Sequence, residues 1–390
     1  MMNRRALFGT AAGAAAVSTF FRERTAHAKM PGDVELRGTN GRLERLGTLD
    51  LESQQDFTLG FRVWQAKDMR RASAQLLNKA LIAAGADPKQ PMTYAEMLKI
   101  ADANPQVNLA SKTWLANQQV TWKTLQDYFH QNADMYLSEM EANDKTGPGT
   151  LELNSGIEPE YTRHEIHIQP GGYVGDPFAG HIYHYGTNSF YIAVLGHNEQ
   201  DQIHKAVAAM MPLPADGKVK RILDAGCGIG QMTLALKERF PDAEVWGLDI
   251  GGPMVRYAHM RANDIGLGAN FRHALAEDTK FPDGYFDIVT SYIMHHELPA
   301  EKTIEVIKET QRITRAGGVY SPLDFNTGGL TGPASALHSR WWDHRWNNEV
   351  WSLSYQSMNF SAEIAKAGFK QEKGAKPLAP QFGNRHFVRV

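Results

Sequence analysis

The chain has 390 residues, 42% of them hydrophobic, a formal net charge of −2 and a single cysteine, Cys227. That length has room for two domains and a sizeable core. The near-neutral charge excludes the global positive field that draws proteins to nucleic acid or anionic membranes. One cysteine excludes an intramolecular disulfide and any cysteine-built zinc or iron–sulfur centre.

The N-terminus reads Asn3-Arg4-Arg5-Ala6-Leu7-Phe8, a twin-arginine pattern. An Ala- and Gly-rich, mildly apolar stretch runs from Gly9 to Phe21, and Ala26-His27-Ala28 offers an A-x-A cleavage site. Residues 1–28 are therefore expected to be a signal peptide. Their loss removes four arginines and one glutamate and takes the formal charge from −2 to −5. The apolar stretch is too short for a transmembrane helix, and no other stretch approaches spanning length. The expectation is export to the periplasm with no stable membrane span after cleavage. The alternative is a cytoplasmic protein carrying a vestigial signal.

Residues 29–56 are polar and irregular. From Phe57 to Ala84, the residues Phe61, Trp64, Met69, Leu76, Leu77 and Leu81 recur near helical spacing. Thr93-Tyr94-Ala95-Glu96 forms a capping box that opens a short helix. Trp122, Leu125, Phe129, Tyr136 and Met140 recur at helical spacing, as a core-facing stripe. Asp144-Lys145-Thr146-Gly147-Pro148-Gly149 breaks the pattern. Residues 29–150 are thus expected to form a mainly helical accessory domain.

Residues 151–200 mix glycine, tyrosine and histidine and are read as a connector, with 170–191 forming part of a lid. The histidines His164, His167, His181 and His184 invite a metal reading. Their His-x-x-His spacing fits no helical zinc motif, and no Cys or H-E-x-x-H accompanies them, so no metal is assigned.

A helix over 199–211 precedes an apolar run, Val219 to Leu223, and then Asp224-Ala225-Gly226-Cys227-Gly228-Ile229-Gly230. This reads as strand, glycine turn and helix. Such a turn lets backbone approach a ligand, and the following helix offers free N–H groups. A dinucleotide fingerprint needs a third glycine at 231, which is Gln231, and a phosphate loop needs Gly-Lys-Ser/Thr, which is absent. Glu244 to Asp249 is a second strand that ends in a carboxylate about 20 residues on, where doubly wound folds place an acid on ribose hydroxyls. Ala276-Glu277-Asp278 leads into a strand from Phe286 to Tyr292, followed by Met294-His295-His296. Arg312 to Gly318 turns into a further strand, Val319 to Phe325.

As a set, these pieces resemble class I S-adenosylmethionine-dependent methyltransferases, in particular the small-molecule branch that includes quinone-biosynthesis enzymes. The resemblance covers roughly residues 219–325. It implies an α/β fold, a Rossmann-like core of seven strands occupying 201–390, with an antiparallel closing strand at Arg385–Val390. A Trp-rich insert at about 326–355 (Trp341, Trp342, Trp346, Trp351) is read as either an acceptor-pocket wall or a buried helix. It also implies S-adenosyl-L-methionine as cofactor. Asp224 and the turn Gly226, Cys227, Gly228 and Gly230 would cradle its methionine end. Asp249, with Ile250 beside it, would take the ribose, and Ala276 and Glu277 the adenine. Cys227 is read as a small filler within that turn. His295 and His296 are the candidates for general base or acceptor positioning.

Two positions depart from the family pattern. Leu275 stands where an Asp is common, and Ala316 where a Pro is common. Ser291-Tyr292-Ile293-Met294 replaces the motif of enzymes that methylate nucleobase amino groups, which argues for a small-molecule acceptor over nucleic acid. The competing function is an exported protein that binds S-adenosylmethionine or a nucleoside without turnover. The sequence does not specify an oligomeric state.

Overall fold

The computed structural model describes residues 48–195, 200–372, 382 and 385–390. The expected signal peptide lies outside them. No helix among the described residues is long and apolar enough to cross a membrane.

The first part of the chain is helical. Helices α1 (Leu49–Trp64) and α2 (Arg70–Ala83) are joined by a π-helical turn at 65–69. Helix α3 (Tyr94–Ala103) opens on the capping box read from the sequence: Thr93 Oγ1 accepts from the Glu96 N–H, and the Thr93 N–H donates to Glu96 Oε2. Helices α4 (Leu109–Gln131) and α5 (Ala133–Asn143) carry the aromatic stripe, and Trp122, Leu125, Phe129, Tyr136 and Met140 are all buried. The stripe spans two helices with a break at Asn132, and α1 starts eight residues ahead of the Phe57 expected from periodicity.

Helices α6 (Ala179–Leu195) and α7 (Gln200–Met210) lead into the sheet. Short β1 (Met92–Thr93) pairs with β8 (Thr331–Gly332) and ties the helical part to the C-terminal part. The main sheet has eight strands, one more than expected: β2 (Leu151–Glu152), β3 (Arg221–Ala225), β4 (Glu244–Asp249), β5 (Asn270–His273), β6 (Phe286–Tyr292), β7 (Thr314–Leu323), β9 (Phe369–Gln371) and β10 (Phe387–Arg389). Their spatial order is β2-β5-β4-β3-β6-β7-β10-β9. The first six run parallel, while β10 is antiparallel to both neighbours. The additional strand is β2 at the β5 edge.

Parallel strands covered on both faces are buried along their length, and β3 from Ile222 to Ala225 and β6 from Phe286 to Ser291 are so, although Asp224, Asp287 and Thr290 interrupt their apolar pattern. The cover comes from α7, α8 (Gln231–Arg239), α9 (Gly252–Asp264), α10 (Ala300–Ile313), α12 (Ser352–Ser357) and α13 (Phe360–Lys366), while α11 (Ala334–Trp346) packs against the helical part of the chain. In α10, Thr303, Val306, Ile307, Thr310 and Ile313 are buried, three or four residues apart along one face. The winding reverses at β3, between β4 and β6, and ligands of open α/β sheets bind outside the strand ends at such a point.

Helix α6 packs against α1, α4 and α9. Two glycines make that approach possible. A Cβ at Gly180 would lie 2.4 Å from Tyr257 Cβ, and one at Gly186 would lie 1.7 Å from the Trp122 ring.

Candidate active site

The carboxyl ends of β3 and β4 meet at the glycine turn. The Gly226 and Cys227 N–H groups both donate to the Leu248 carbonyl, at 2.7 and 3.0 Å, and this ties the turn to β4. Gly226, Gly228 and Gly230 all have φ between +51° and +80°, a region that costs residues with a Cβ. They serve different ends. A Cβ at Gly230 would press on Ala258 and Phe271 at 3.0 Å, so this glycine seats α8 against the sheet. A Cβ at Gly228 would find only Met254 Cε, at 3.8 Å, because the turn opens there into a cavity.

Asp249 holds the turn from the other side. Its Oδ2 accepts from the Gly228 N–H and its Oδ1 from the Gly251 N–H, both at 2.8 Å. Burial raises the Asp249 pKa, and these amides oppose the rise. Asp224 is fully buried. Its Oδ2 accepts from the Thr233 hydroxyl at 2.6 Å, and its Oδ1 has no hydrogen-bond partner. Burial pushes this carboxyl up to about 7. Burial also pushes the Cys227 thiol well up, so Cys227 is a packed filler and not a thiolate.

The glycine turn and the two carboxyls line one cavity of about 920 Å³, at the upper end for a small-ligand site. Asp224, Gly226, Cys227, Gly228, Asp249, Ile250, Ala276, Glu277 and His296 reach its wall; Gly230 and His295 do not. Glu277 Oε1 accepts from the Tyr161 hydroxyl at 2.5 Å and lies 3.6 Å from Lys302 Nζ.

The two candidate histidines part company. His295 is fully buried, with Nε2 2.7 Å from the Tyr320 hydroxyl, and burial lowers its pKa to about 3. It packs among Phe360, Tyr355 and Tyr320, away from the cavity, and its place in the core argues against direct chemistry. His296 is the cavity histidine. Its Nδ1 lies 2.8 Å from Asp324 Oδ1, a buried carboxylate that also accepts the His295 backbone N–H at 2.7 Å. Burial disfavours a charged His296, but Asp324, Glu349 and Glu297 outweigh it and raise its pKa well above the usual value.

The cavity also has aromatic lining, with Trp114 and Trp122 of α4, Tyr183 and Phe190 of α6, and Trp342 of α11. Trp342 meets Trp114 edge to face at 6.0 Å. The Trp-rich segment thus serves both purposes read from the sequence, because Trp341 is buried beside Leu337, Leu77 and Met97. Residues of 170–191, among them Tyr173, Tyr183 and Tyr191, also line the cavity.

Among the four histidines singled out, His181 and His184 pack in the core. His181 sits 4.5 Å from the Tyr257 ring, and His184 Nδ1 lies 2.7 Å from the Tyr257 hydroxyl. His164 and His167 reach the cavity. His167 and Ile168 have φ of 51° and 53°, and the His167 carbonyl is fixed by the Gln118 amide and the Trp122 indole N–H, at 2.8 and 2.9 Å. His167 Nε2 lies 2.6 Å from Glu349 Oε1, and Nδ1 lies 2.7 Å from the Tyr173 hydroxyl. Burial opposes charge on this ring, but Glu349 and Glu297 raise its pKa to about 9. Burial, then Glu349, pushes Asp343 up to about 8. Glu297, Glu349, Asp343 and Tyr161 carry no local sequence signal and are legible only in three dimensions.

The comparisons fall on the strands just described. Residues 222–318 match the methyltransferase domain family. The demethylmenaquinone methyltransferase of Thermus thermophilus is 40% identical over 107 residues, which cover 27% of this chain and 47% of the relative. A ubiquinone/menaquinone biosynthesis C-methyltransferase of Burkholderia cenocepacia is 32% identical over 107 residues, covering 27% and 43%. The chain thus spans about half the length of the curated relatives it matches. A solved phosphoethanolamine N-methyltransferase 2 of Haemonchus contortus, in complex with S-adenosylhomocysteine, superposes with a TM-score of 0.35 at 20% identity. That superposition covers 44% of this chain and 38% of that one.

Proposed function

We propose that the chain is an S-adenosylmethionine-dependent methyltransferase acting on a small-molecule acceptor. One observation carries this reading. The glycine turn, Asp249 and the unpaired Asp224 oxygen line one cavity together with a set of aromatic rings. The residues present fit the cofactor. The space that a Gly228 Cβ would fill is open to it, Asp249 keeps lone pairs for ribose hydroxyls, and Asp224 Oδ1 is a buried acceptor awaiting a donor.

When bound, S-adenosylmethionine supplies an electrophilic methyl group on sulfur. The protein's own work is to orient the acceptor and keep out water. Trp114, Trp122 and Trp342 suit a flat, apolar acceptor body. His296, held through Nδ1 by Asp324 and kept in its charged form by the carboxylates around it, is placed to orient the acceptor as a hydrogen-bond donor. The quinone-pathway relatives support an aromatic acceptor for this chain too.

Further parts of the reading belong here. Seven of the eight strands make up a methyltransferase core, β2 being an addition. The helices from α1 to α5 act as an accessory domain, and the 170–191 segment acts as a cover over the cavity. Arg4-Arg5 and Ala26-His27-Ala28 support export.

The test is calorimetry of the full chain with S-adenosylmethionine and S-adenosylhomocysteine, followed by a methyl-transfer assay with a demethylated naphthoquinol. Binding of both with turnover is expected. Binding of neither would overturn the proposal, and binding without turnover on a broad phenol panel would favour the non-catalytic alternative. Fractionation of host cells with N-terminal sequencing tests export, the expected mature start being Lys29.

A further inference from the structure

His167, His296, Glu297 and Glu349 converge on one point of the cavity from three distant parts of the chain. One donor atom from each of His167, Glu297 and Glu349 lies within 4.8 Å of the other two. His296 Nε2 faces the same point, 3.4 Å from Glu297 Oε1 and 3.2 Å from Glu349 Oε2. His167 Nε2 lies 3.7 Å from Glu297 Oε1. Four donors in a tetrahedral shell with bonds of about 2.1 Å stand roughly 3.4 Å from one another. These three separations already bracket that value. Only the 2.6 Å contact of His167 with Glu349 Oε1 is too short, and it is a hydrogen bond that rotation of the Glu349 carboxylate would exchange.

Two independent observations point to a ligand. Glu349 is buried, with a side-chain exposure of 6%; Glu297 Oε2 has no hydrogen-bond partner, and Glu349 Oε2 has only the 3.2 Å contact with His296 Nε2. Moreover, each histidine has its second ring nitrogen fixed from behind. His296 Nδ1 is held by the Asp324 carboxylate and His167 Nδ1 by the Tyr173 hydroxyl. Metal-bound imidazoles are oriented in just this way.

We propose that His167, His296, Glu297 and Glu349 bind a divalent first-row transition ion on the acceptor side of the cavity. A mixed imidazole and carboxylate set suits zinc, iron or manganese rather than calcium or magnesium. The ion would face the cavity that the four residues line, where it would take an oxygen of the acceptor as a fifth ligand. That role rests on the methyl-transfer reading; ion binding itself does not. With an ion in place, His296 would be a ligand rather than a base; the ion would lower the pKa of the acceptor oxygen, whose proton would pass to solvent water.

The experiment strips the full chain with a chelator and titrates it with Co²⁺, whose visible d–d bands report an imidazole-containing shell, with Zn²⁺ as competitor. One ion per chain is expected. Glu349→Gln should weaken Co²⁺ at least 100-fold. Asp324→Asn and Tyr173→Phe, which leave all four donors in place, should weaken it about 10- to 100-fold. Each variant is checked by S-adenosylmethionine calorimetry, which reports an intact glycine turn and reads the two proposals separately. If the wild-type chain takes up no Co²⁺, or if Glu349→Gln binds it as tightly as wild type, the site is a hydrogen-bonded His–Glu cluster and the inference falls. Co²⁺ binding without methyl transfer would uphold the ion and sink the enzyme reading.

Discussion

Asp224 is the residue at which folding and cofactor binding oppose each other. Its carboxyl is fully buried, one oxygen bonded to Thr233 and the other without a partner, with Asp249 the nearby like charge. Burial lifts its pKa from 3.8 to about 7. The unfolded chain therefore loses this proton near pH 4, while the native state keeps it until about pH 7. Over that interval the native state binds more protons, so stability falls as pH rises and is level above pH 7. Three pKa units correspond to about 4 kcal/mol. Asp224→Asn removes the titration. In urea unfolding the variant should match wild type near pH 4 and be more stable at pH 8 by a few kcal/mol. Cofactor affinity should run the other way. S-adenosylmethionine is cationic, so it favours the ionised carboxylate, and below pH 7 ionisation costs about 1.4 kcal/mol per pH unit. The wild-type Kd should then fall about tenfold per unit from pH 5.5 to 7 and level off, while Asp224→Asn binds weakly with no slope. Calorimetry across that range decides. A flat wild-type profile, together with an Asn variant that binds equally well, would refute both the buried-carboxyl argument and the placing of the cofactor there.

Asp249→Ala should raise the S-adenosylmethionine Kd about 30- to 700-fold, the equivalent of the 2–4 kcal/mol carried by two charge-assisted hydrogen bonds. It should also lower Tm by a few degrees, because the Gly228 and Gly251 amides lose their acceptor; an unchanged Kd would remove Asp249 from the site. Gly228→Ala should fold with a cost of about 1–2 kcal/mol from its φ of 51°, yet lose cofactor binding, since its methyl group enters the cavity. A cofactor-bound crystal structure of that variant with an undisturbed turn would contradict this. Gly186→Ala forces a Cβ into the Trp122 ring and should cost about 1–3 kcal/mol or more. Trp122 also fixes the His167 carbonyl, so Co²⁺ affinity should fall along with Tm, and a thermal melt with a Co²⁺ titration checks both.

The cofactor side of the cavity was legible because its residues are local. Asp224, Gly226, Gly228, Asp249 and Ala276 sit at the ends of consecutive strands, where apolar runs and glycine spacing mark each turn. Strand β6 matches its expected bounds, Phe286–Tyr292, for the same reason. The Thr93–Glu96 box was legible because it closes over three residues. The break between α4 and α5 was not, since Asn132 interrupts two helices whose buried stripe continues in phase across it. Strand β2 is two residues long and too short to show a period. His295 and His296 could not be told apart by position, because both stand in one short 3₁₀ turn, His295–Glu297, whose side chains point in different directions. His167 was noticed for its neighbour His164, although its partner is Glu349, 182 residues away.

That difference has a functional consequence. The family match ends at residue 318, so it takes in the glycine turn, Asp249, His296 and Glu297 but leaves out His167, Trp342 and Glu349. The excluded residues lie on two segments flanking the matched strands, 161–191 and 339–349, and they meet across the cavity through the His167–Glu349 contact. A cofactor wall built from consecutive strand ends varies little without breaking the sheet. A wall built by two flanking segments can change its donors and rings while the strands stay as they are. Likeness to known methyltransferases therefore bears on where S-adenosylmethionine would sit. The chemistry of the acceptor has to be read from this chain's own His167, Glu349, Trp114 and Trp342, and it is there that an imidazole and carboxylate cluster faces an aromatic wall.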